Sequence, residues 1–337
     1  MADHLRWGIL GGASWIARDA VMPAIQRSRN GRVTTVASRD PAKTAPTLKH
    51  LGDFRYCGYE ELLAAKDVDA IYIPLPNSMH AEWCIKAAEA GKAVLCDKPL
   101  AMNAAETERV VAAFAKANVP LMENFMYRFH PQHARVREMI DSGLIGEVRE
   151  ARTHLSVDLM SPPDLNNIRM IPAMGGGALL DMGCYMISAA RMLMQSEPLK
   201  MRAWWKIDPQ TGVDIACAGV MEFSGGRVAL VSCSFEATAN GHYSVTGTKG
   251  VIEAPRALIL GLGTRVKEAL IVHMDADGKR SEEIIPAADH YQLAAEAFAG
   301  AVLAGKPVPL PPQESIANMR AIDAFARSAR EGREVAV

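Results

Sequence analysis

WGILGGASWIARDA, residues 7–20, passes from an apolar strand pattern through paired glycines into a helical pattern. A phosphate needs close backbone approach and helix N–H groups that have no partner inside the helix. A glycine turn between strand and helix offers both. The spacing departs from G-x-G-x-x-G. Gly8, Gly11 and Gly12 are present, the third position falls on Ile16 or Ala17, and the loop reads one residue long. Gly11, Gly12, Ala13, Ser14, Trp15 and Ile16 form the candidate phosphate loop, with an ordinary tight strand-to-helix turn as the competing reading.

Outward from this stretch, residues 5–123 alternate short apolar runs with helical patterns. LRWGIL, RVTTVAS, DAIYIP, AVLCD and PLMEN read as strands. Between them IARDAVMPAIQRS, broken near Pro23, then YEELLAA, HAEWCIKAAEAGK and AAETERVVAAFAKAN read as helices, with Gly91 placed to end the third. Strands alternating with helices imply parallel β-α-β units. From about residue 147 the rhythm changes to long alternating strands, such as LKMRAWWKID and IACAGVMEFSGGRVALVSCSFEA, with FSGGRV as a hairpin turn. Strands without helices between them imply a mostly antiparallel sheet. Two helices, near 290–304 and 315–330, close the chain. The expected architecture is α/β: a doubly wound dinucleotide-binding domain over residues 1–124 and an α+β domain with an open, mostly antiparallel sheet over residues 125–337.

The 337 residues are ample for two cores; 49% are hydrophobic and 22% charged, as in an ordinary globular protein. A net charge of -1 gives no pull toward nucleic acid or an anionic membrane. No apolar run approaches the length of a membrane span. MADHLRWGIL lacks the long apolar core of a signal peptide. Cysteines stand at 57, 84, 96, 184, 217 and 233 without C-x-x-C spacing, which implies free thiols, a reducing cytoplasmic setting and no metal site.

Chemistry-bearing residues gather at strand ends. The second strand ends VASRDP, where NAD binders usually carry an acid for the ribose 2′-hydroxyl. Ser38 and Arg39 stand there instead and suit a 2′-phosphate. The competing acid, Asp40, precedes Pro41 in the pattern of a helix cap. NADP is therefore the expected coenzyme ahead of NAD. IYIPLPNSMHAEW, residues 71–83, places Leu75, Pro76, Asn77 and His80 after another buried strand. They are candidate cofactor contacts, although Asn77 as a helix cap and His80 as a surface residue are equally open. LCDKPLAM, residues 95–102, delivers Asp97 and Lys98 to the end of a buried strand. MGGGALLDMGCYMISAAR, residues 174–191, opens a helix with three glycines. Asp181 and Tyr185 share one face of it, four residues apart. A tyrosine near an ammonium exchanges its proton more readily, as oxidation of an alcohol requires; a buried structural tyrosine with a capping aspartate is the alternative.

AGKAVLCDKPLA, residues 90–101, resembles A-G-K-x-V-x-x-E-K-P, and GGGALLDMGCY, residues 175–185, resembles G-G-G-x-x-x-D-x-G-x-H. These patterns identify the chain as similar to the glucose–fructose oxidoreductase/inositol dehydrogenase (Gfo/Idh/MocA) family over nearly its whole length. MENFMYRFHPQ, residues 122–132, and tyrosine in place of histidine resemble the branch that holds dimeric dihydrodiol dehydrogenase and NADP-dependent D-xylose dehydrogenases. The resemblance implies a reversible hydride transfer between NADP(H) and a carbohydrate or polyol. In that scheme Lys98 lies beside the nicotinamide and the reacting hydroxyl, and Tyr185 donates or accepts the proton. Asp181 lies near the substrate, Arg128 and Arg169 around the nicotinamide end, and Tyr291 near the substrate. Asp97 replaces the usual glutamate, and the longer glycine loop alters the pyrophosphate contacts. Aldose–aldose oxidoreduction with a retained cofactor, a nicotinamide-dependent glycosidase and a non-catalytic NADP-binding regulator are the alternatives; the presence of both the lysine and the tyrosine weighs against the last. The apolar excess in AWWKI and VALVSCSF implies a homo-oligomer, a dimer built on this sheet.

Overall fold

The structure, a computed structural model, describes residues 4–260 and 268–337. The described chain divides into two compact units. One comprises Met1–Phe129 with Asp289–Ile316, the other His130–Ala288 with Ala317–Val337. The sequence reading put residues 125–129 and 289–316 in the second domain, whereas the structure packs them in the first unit. A ring contact shows why. Trp7 is fully buried, and its ring lies 5.4 Å from that of Phe298, on the helix His290–Ala304.

The first unit is built on six parallel strands: β1 (Leu5–Leu10), β2 (Gly31–Ala37), β3 (Arg55–Cys57), β4 (Ala70–Ile73), β5 (Ala93–Cys96) and β6 (Leu121–Glu123). Every residue of β4 and β5 is buried, because helices cover both faces of a parallel sheet and leave no polar side. The order is β3-β2-β1-β4-β5-β6. The chain reverses direction across the sheet between β1 and β4, and loops leaving such a switch point diverge to open a ligand crevice at the carboxyl ends. The helix after β1 runs unbroken over 15–27, contrary to the expected break at Pro23. Ala17–Val21 form a π turn whose last bond, from the Met22 N–H to the Ala17 carbonyl, interrupts the α-helical ladder just before Pro23, which cannot donate to it.

The second unit is a nine-stranded sheet: β7 (Val148–Ser156), β8 (Lys200–Ile207), β9 (Asp214–Phe223), β10 (Arg227–Ser234), β11 (Asn240–Gly247), β12 (Gly250–Ala254), β13 (Ala269–Asp275), β14 (Arg280–Ile285) and β15 (Val335–Ala336). Its order is β14-β13-β12-β11-β7-β10-β9-β8-β15. Only β7 with β10 runs parallel; the other pairings are antiparallel. FSGGRV forms the expected hairpin turn, with Gly225 and Gly226 at φ of +75° and +71°. One face is apolar and covered: Met201, Ile215, Met221, Phe223, Ala229 and Val231 are buried. The other keeps Trp204, Val220 and Leu230 exposed, with Val220 directly opposite Leu230.

Candidate active site

In the first unit the glycine loop and the loop after β4 touch. Gly11 has φ +129°, and a Cβ there would stand 3.0 Å from Leu75 Cδ2 and 3.4 Å from Pro74 Cγ. A Cβ on Gly12 would stand 2.2 Å from Val36 Cγ1. The N–H groups of both glycines donate to the Ala37 carbonyl, at 3.0 and 2.9 Å, and the Ser14 N–H donates to the Gly11 carbonyl at 2.9 Å. These glycines therefore let Leu75, Pro74 and Val36 pack against the loop, and their own N–H groups hold it to the end of β2. The helix that starts at Trp15 brings the opening N–H groups and positive dipole end that fit a pyrophosphate. Trp15 itself is exposed.

At the end of β2, Ser38 is buried and its Oγ accepts from Thr44 Oγ1 at 2.9 Å. Asp40 caps the helix Pro41–Leu48, accepting from the Lys43 N–H at 3.1 Å and pairing with Lys43 Nζ at 3.2 Å. The acid that competed for a ribose hydroxyl is thus occupied, and the exposed Arg39 guanidinium stands at the strand end. The residues present fit a 2′-phosphorylated dinucleotide.

At the end of β5, Asp97 donates its backbone N–H to Ile73 at 3.0 Å, and its Oδ1 accepts from Asn124 Nδ2 at 3.4 Å. Burial pushes this carboxyl above the usual range, while Lys98 and His80 pull it back down. Tyr72 and Tyr291 are raised by burial first and by the Asp97 charge next, so both phenols stand near it. The Lys98–Pro99 peptide is cis. The Pro99 carbonyl lies 2.8 Å from His80 Nδ1, and the Leu100 N–H donates to Glu123 Oε1 at 2.9 Å. His80 does not line a surface: it is fully buried, and Nε2 lies 2.8 Å from the Leu75 carbonyl. Its occupied ring nitrogens replace the cofactor contact expected from sequence. Asn77 opens the helix Asn77–Glu89, and Pro76 takes the cap position.

In the second unit the helix over 178–194 presents Asp181 and Tyr185. Leu179–Gly183 form a π turn, a feature frequent at functional sites. Arg169 Nε donates to Asp181 Oδ2 at 2.7 Å, with the two side chains 23% and 16% exposed. Tyr185 is buried. The triple glycine is a packing device. A Cβ on Gly176 would stand 2.5 Å from the Arg169 carbonyl oxygen, and one on Gly177 would stand 2.2 Å from Asp214 Oδ1. Asp214 Oδ2 accepts from the Leu179 N–H at 2.6 Å, and the Gly177 N–H donates to the Arg169 carbonyl at 2.9 Å. One backbone segment thereby fixes both members of the Arg169–Asp181 pair. Burial raises Asp214, opposed by its bonds to Leu179 and Cys217. Arg128 belongs to the first unit and Arg169 to the second.

Sequence reading missed Tyr72, Asn124, Glu123 and Asp214. Tyr72 and Glu123 lie in strands, where any polar residue reads as an alternation partner, and Asp214 caps a helix 35 residues before it. Only the polarity of Tyr72 and Glu123 amid apolar runs could have marked them. Among the described residues no cluster of metal-ligating side chains occurs, and no helix is long and apolar enough to cross a membrane. All six cysteines are buried and free.

A family model described as an oxidoreductase family with an NAD-binding Rossmann fold matches residues 5–125, and one for the GFO/IDH/MocA C-terminal domain matches residues 133–253. The chain belongs to the GFO/IDH/MocA oxidoreductase family. Within it, the chain is 38% identical over 332 residues to a D-xylose 1-dehydrogenase (NADP(+)) of Haloferax volcanii, covering 98% of this chain and 99% of that one. It is 33% identical over 256 residues to a trans-1,2-dihydrobenzene-1,2-diol dehydrogenase of Xenopus tropicalis, covering 74% and 75%. Its fold matches a 3-ketoreductase from Actinomadura kijaniata solved with NADP and TDP-benzene, with TM-score 0.89, 30% identity and coverage of 96% and 98%. An aldose-aldose oxidoreductase from Caulobacter crescentus, complexed with glycerol, matches with TM-score 0.88 and 26% identity over 99% and 100% of the chains. This family member is therefore an enzyme of the oxidoreductase class, with the α/β architecture expected from sequence.

Proposed function

We propose that this enzyme transfers a hydride between NADP(H) and a CH–OH or carbonyl carbon of a carbohydrate or polyol, as an aldose dehydrogenase does. The observation that carries the reading is the turn after β5. The chain fixes the backbone on either side of Lys98, through Asp97 and through Pro99 and Leu100, at the carboxyl end of a Rossmann sheet. When bound, the nicotinamide supplies the hydride acceptor or donor. The Lys98 ammonium holds the substrate oxygen and favours its anionic form. Tyr185 takes the hydroxyl proton in oxidation and returns it in reduction. Arg169 orients Asp181, which accepts hydrogen bonds from neighbouring sugar hydroxyls. Arg39, with the Ser38 hydroxyl beside it, binds the 2′-phosphate, Arg128 borders the nicotinamide end, and Tyr291 lies near the substrate. The dehydrogenase relatives that use NADP support this choice.

The test is a screen of aldoses and polyols with NADP and with NAD, read at the nicotinamide absorbance. Turnover with NADP and at least one of these substrates is expected, and consumption of neither coenzyme with any of them sinks the reading. The Caulobacter relative favours a second reading, aldose–aldose oxidoreduction with a retained cofactor. In that case nicotinamide stays with the protein through gel filtration, and added NADP(H) is not consumed.

The exposed Trp204, Val220 and Leu230 on the open sheet face support a homodimer built there. Sedimentation at micromolar concentration should show a dimer, and Trp204→Glu should yield monomer.

A further inference from the structure

The peptide plane between Pro99 and Leu100 is gripped at both ends. Its N–H donates to Glu123 Oε1, and its carbonyl meets His80 Nδ1 at 2.8 Å. The other ring nitrogen of His80 meets a second carbonyl, that of Leu75, also at 2.8 Å. His80 is fully buried, so water offers neither nitrogen an alternative partner. A carbonyl oxygen accepts and never donates. A neutral imidazole carries one N–H, and its second nitrogen is a lone pair that would oppose a carbonyl at this distance. Only the doubly protonated ring donates to both.

We infer that His80 is a buried imidazolium that ties the turn after Lys98 to the loop after β4, and that it is a positioning residue for Lys98. Two charges face the ring, Asp97 and Lys98. Burial, the largest influence, and the Lys98 charge favour the neutral form and on balance hold the ring below the ordinary imidazole value, whereas the two carbonyls and the Asp97 carboxylate favour the cation; the pair of short carbonyl contacts is what decides against that balance. A neutral ring would gain from burial but would set a lone pair against one carbonyl, and the fold would relieve that by moving them apart. Two equal contacts of 2.8 Å show no such separation. The cation is also matched to its surroundings: a charged donor sits on the carbonyl side of the Pro99–Leu100 peptide, and the Glu123 carboxyl accepts on the N–H side.

The clamp joins the two halves of the crevice. Leu75, whose carbonyl His80 holds, is the residue that the missing Cβ of Gly11 would meet. The line Gly11–Leu75–His80–Pro99–Lys98 therefore links the phosphate loop to the lysine. What Lys98 does there rests on the proposed function; the charge state of the ring does not.

The test uses the full-length protein. Ring 15N shifts of His80, assigned by through-bond experiments, are followed from about pH 6 to about pH 9, a range spanning the ordinary imidazole pKa. Both nitrogens are expected to be protonated at neutral pH. A single protonated nitrogen at neutral pH overturns the assignment. The kcat of the wild type is then measured across the pH at which the ring loses its proton, and it should fall in step with the shift transition. A flat kcat through that transition overturns the positioning role. His80→Gln cannot span both carbonyls, and if it folds, kcat should drop about tenfold or more with KM little changed, since an ångström of misplacement costs up to about a hundredfold. Unchanged kcat in the folded variant also counts against the role. If no substrate is turned over, the functional reading is at fault, and the ring shifts still decide the charge.

Discussion

The helices over 15–27 and 178–194 are built to one plan: each follows glycines, and each carries a π turn near its start. Their glycines serve different ends. At Gly11 and Gly12 the absent side chains leave room for apolar ones, Leu75, Pro74 and Val36, which bring the neighbouring loop and strand against the turn. At Gly176 and Gly177 the cleared space is filled from inside, by the Arg169 backbone and by the Asp214 carboxylate. One helix keeps its positive end for an anion from outside, and the other has an anion of its own seated there. The same sequence signal thus marks a turn packed by apolar side chains in one unit and a helix start capped by a carboxylate in the other.

The sharpest way to break this comparison is to ask which helix carries chemistry. Tyr185→Phe should lower kcat by about 10²–10⁴, the usual contribution of a positioned acid–base group, with NADP(H) affinity nearly unchanged. Lys98→Met should be at least as damaging. If Tyr185→Phe keeps most of its turnover while Asp181→Asn loses it, the proton acceptor is Asp181 and the tyrosine is packing. The second test compares the glycines by thermal melting. Gly177→Ala combines a φ of +109° with a clash against a partly buried carboxylate, about 1–3 kcal/mol for each. Gly12→Ala clashes with the Val36 side chain but carries no positive φ, and it should melt higher than Gly177→Ala. Equal melting points would erase the distinction. Third, Arg39→Ala should weaken NADP binding by roughly 10–100-fold, the value of a lost charged hydrogen bond, and NAD binding far less. Equal losses for both coenzymes would remove Arg39 from the 2′-phosphate.

The smallest expected effect is a pH slope. Burial raises Asp214, so as pH falls from neutral the folded chain takes up its proton before the unfolded chain does. Stability then rises on acidification from the raised value down to the ordinary carboxylate value near 3.8, since the folded state binds more protons there. Asp214→Asn should flatten that part of a denaturant-stability profile. An unaltered slope would show that Asp214 is not the source.

Much of this was legible in the sequence, for physical reasons that vary by region. β4 and β5 are short, wholly apolar and flanked by turn residues, so the parallel sheet could be read directly. β14, RSEEII, is a charged edge strand whose exposed alternation hides it, and β13 went unread with it. Lys98, Asp181 and Tyr185 were found because local motifs place them. The partner of a residue is another matter. His80 reads as a residue on the first turn of a surface helix, and only the fold brings the Leu75 and Pro99 carbonyls to its two nitrogens. The cap on helix 178–194 comes from the first residue of a strand that follows it, a relation no local pattern carries.

The packing of Phe298 on Trp7 also bears on how the chain is made. The six strands described in the first unit are translated by residue 123, yet the helix that packs on Trp7 follows only after β7 to β14. The N-terminal half therefore waits, with its central tryptophan uncovered, through the synthesis of those strands. A nascent chain stalled before residue 289 should leave Trp7 uncovered and should engage chaperones that a chain released past residue 304 no longer needs.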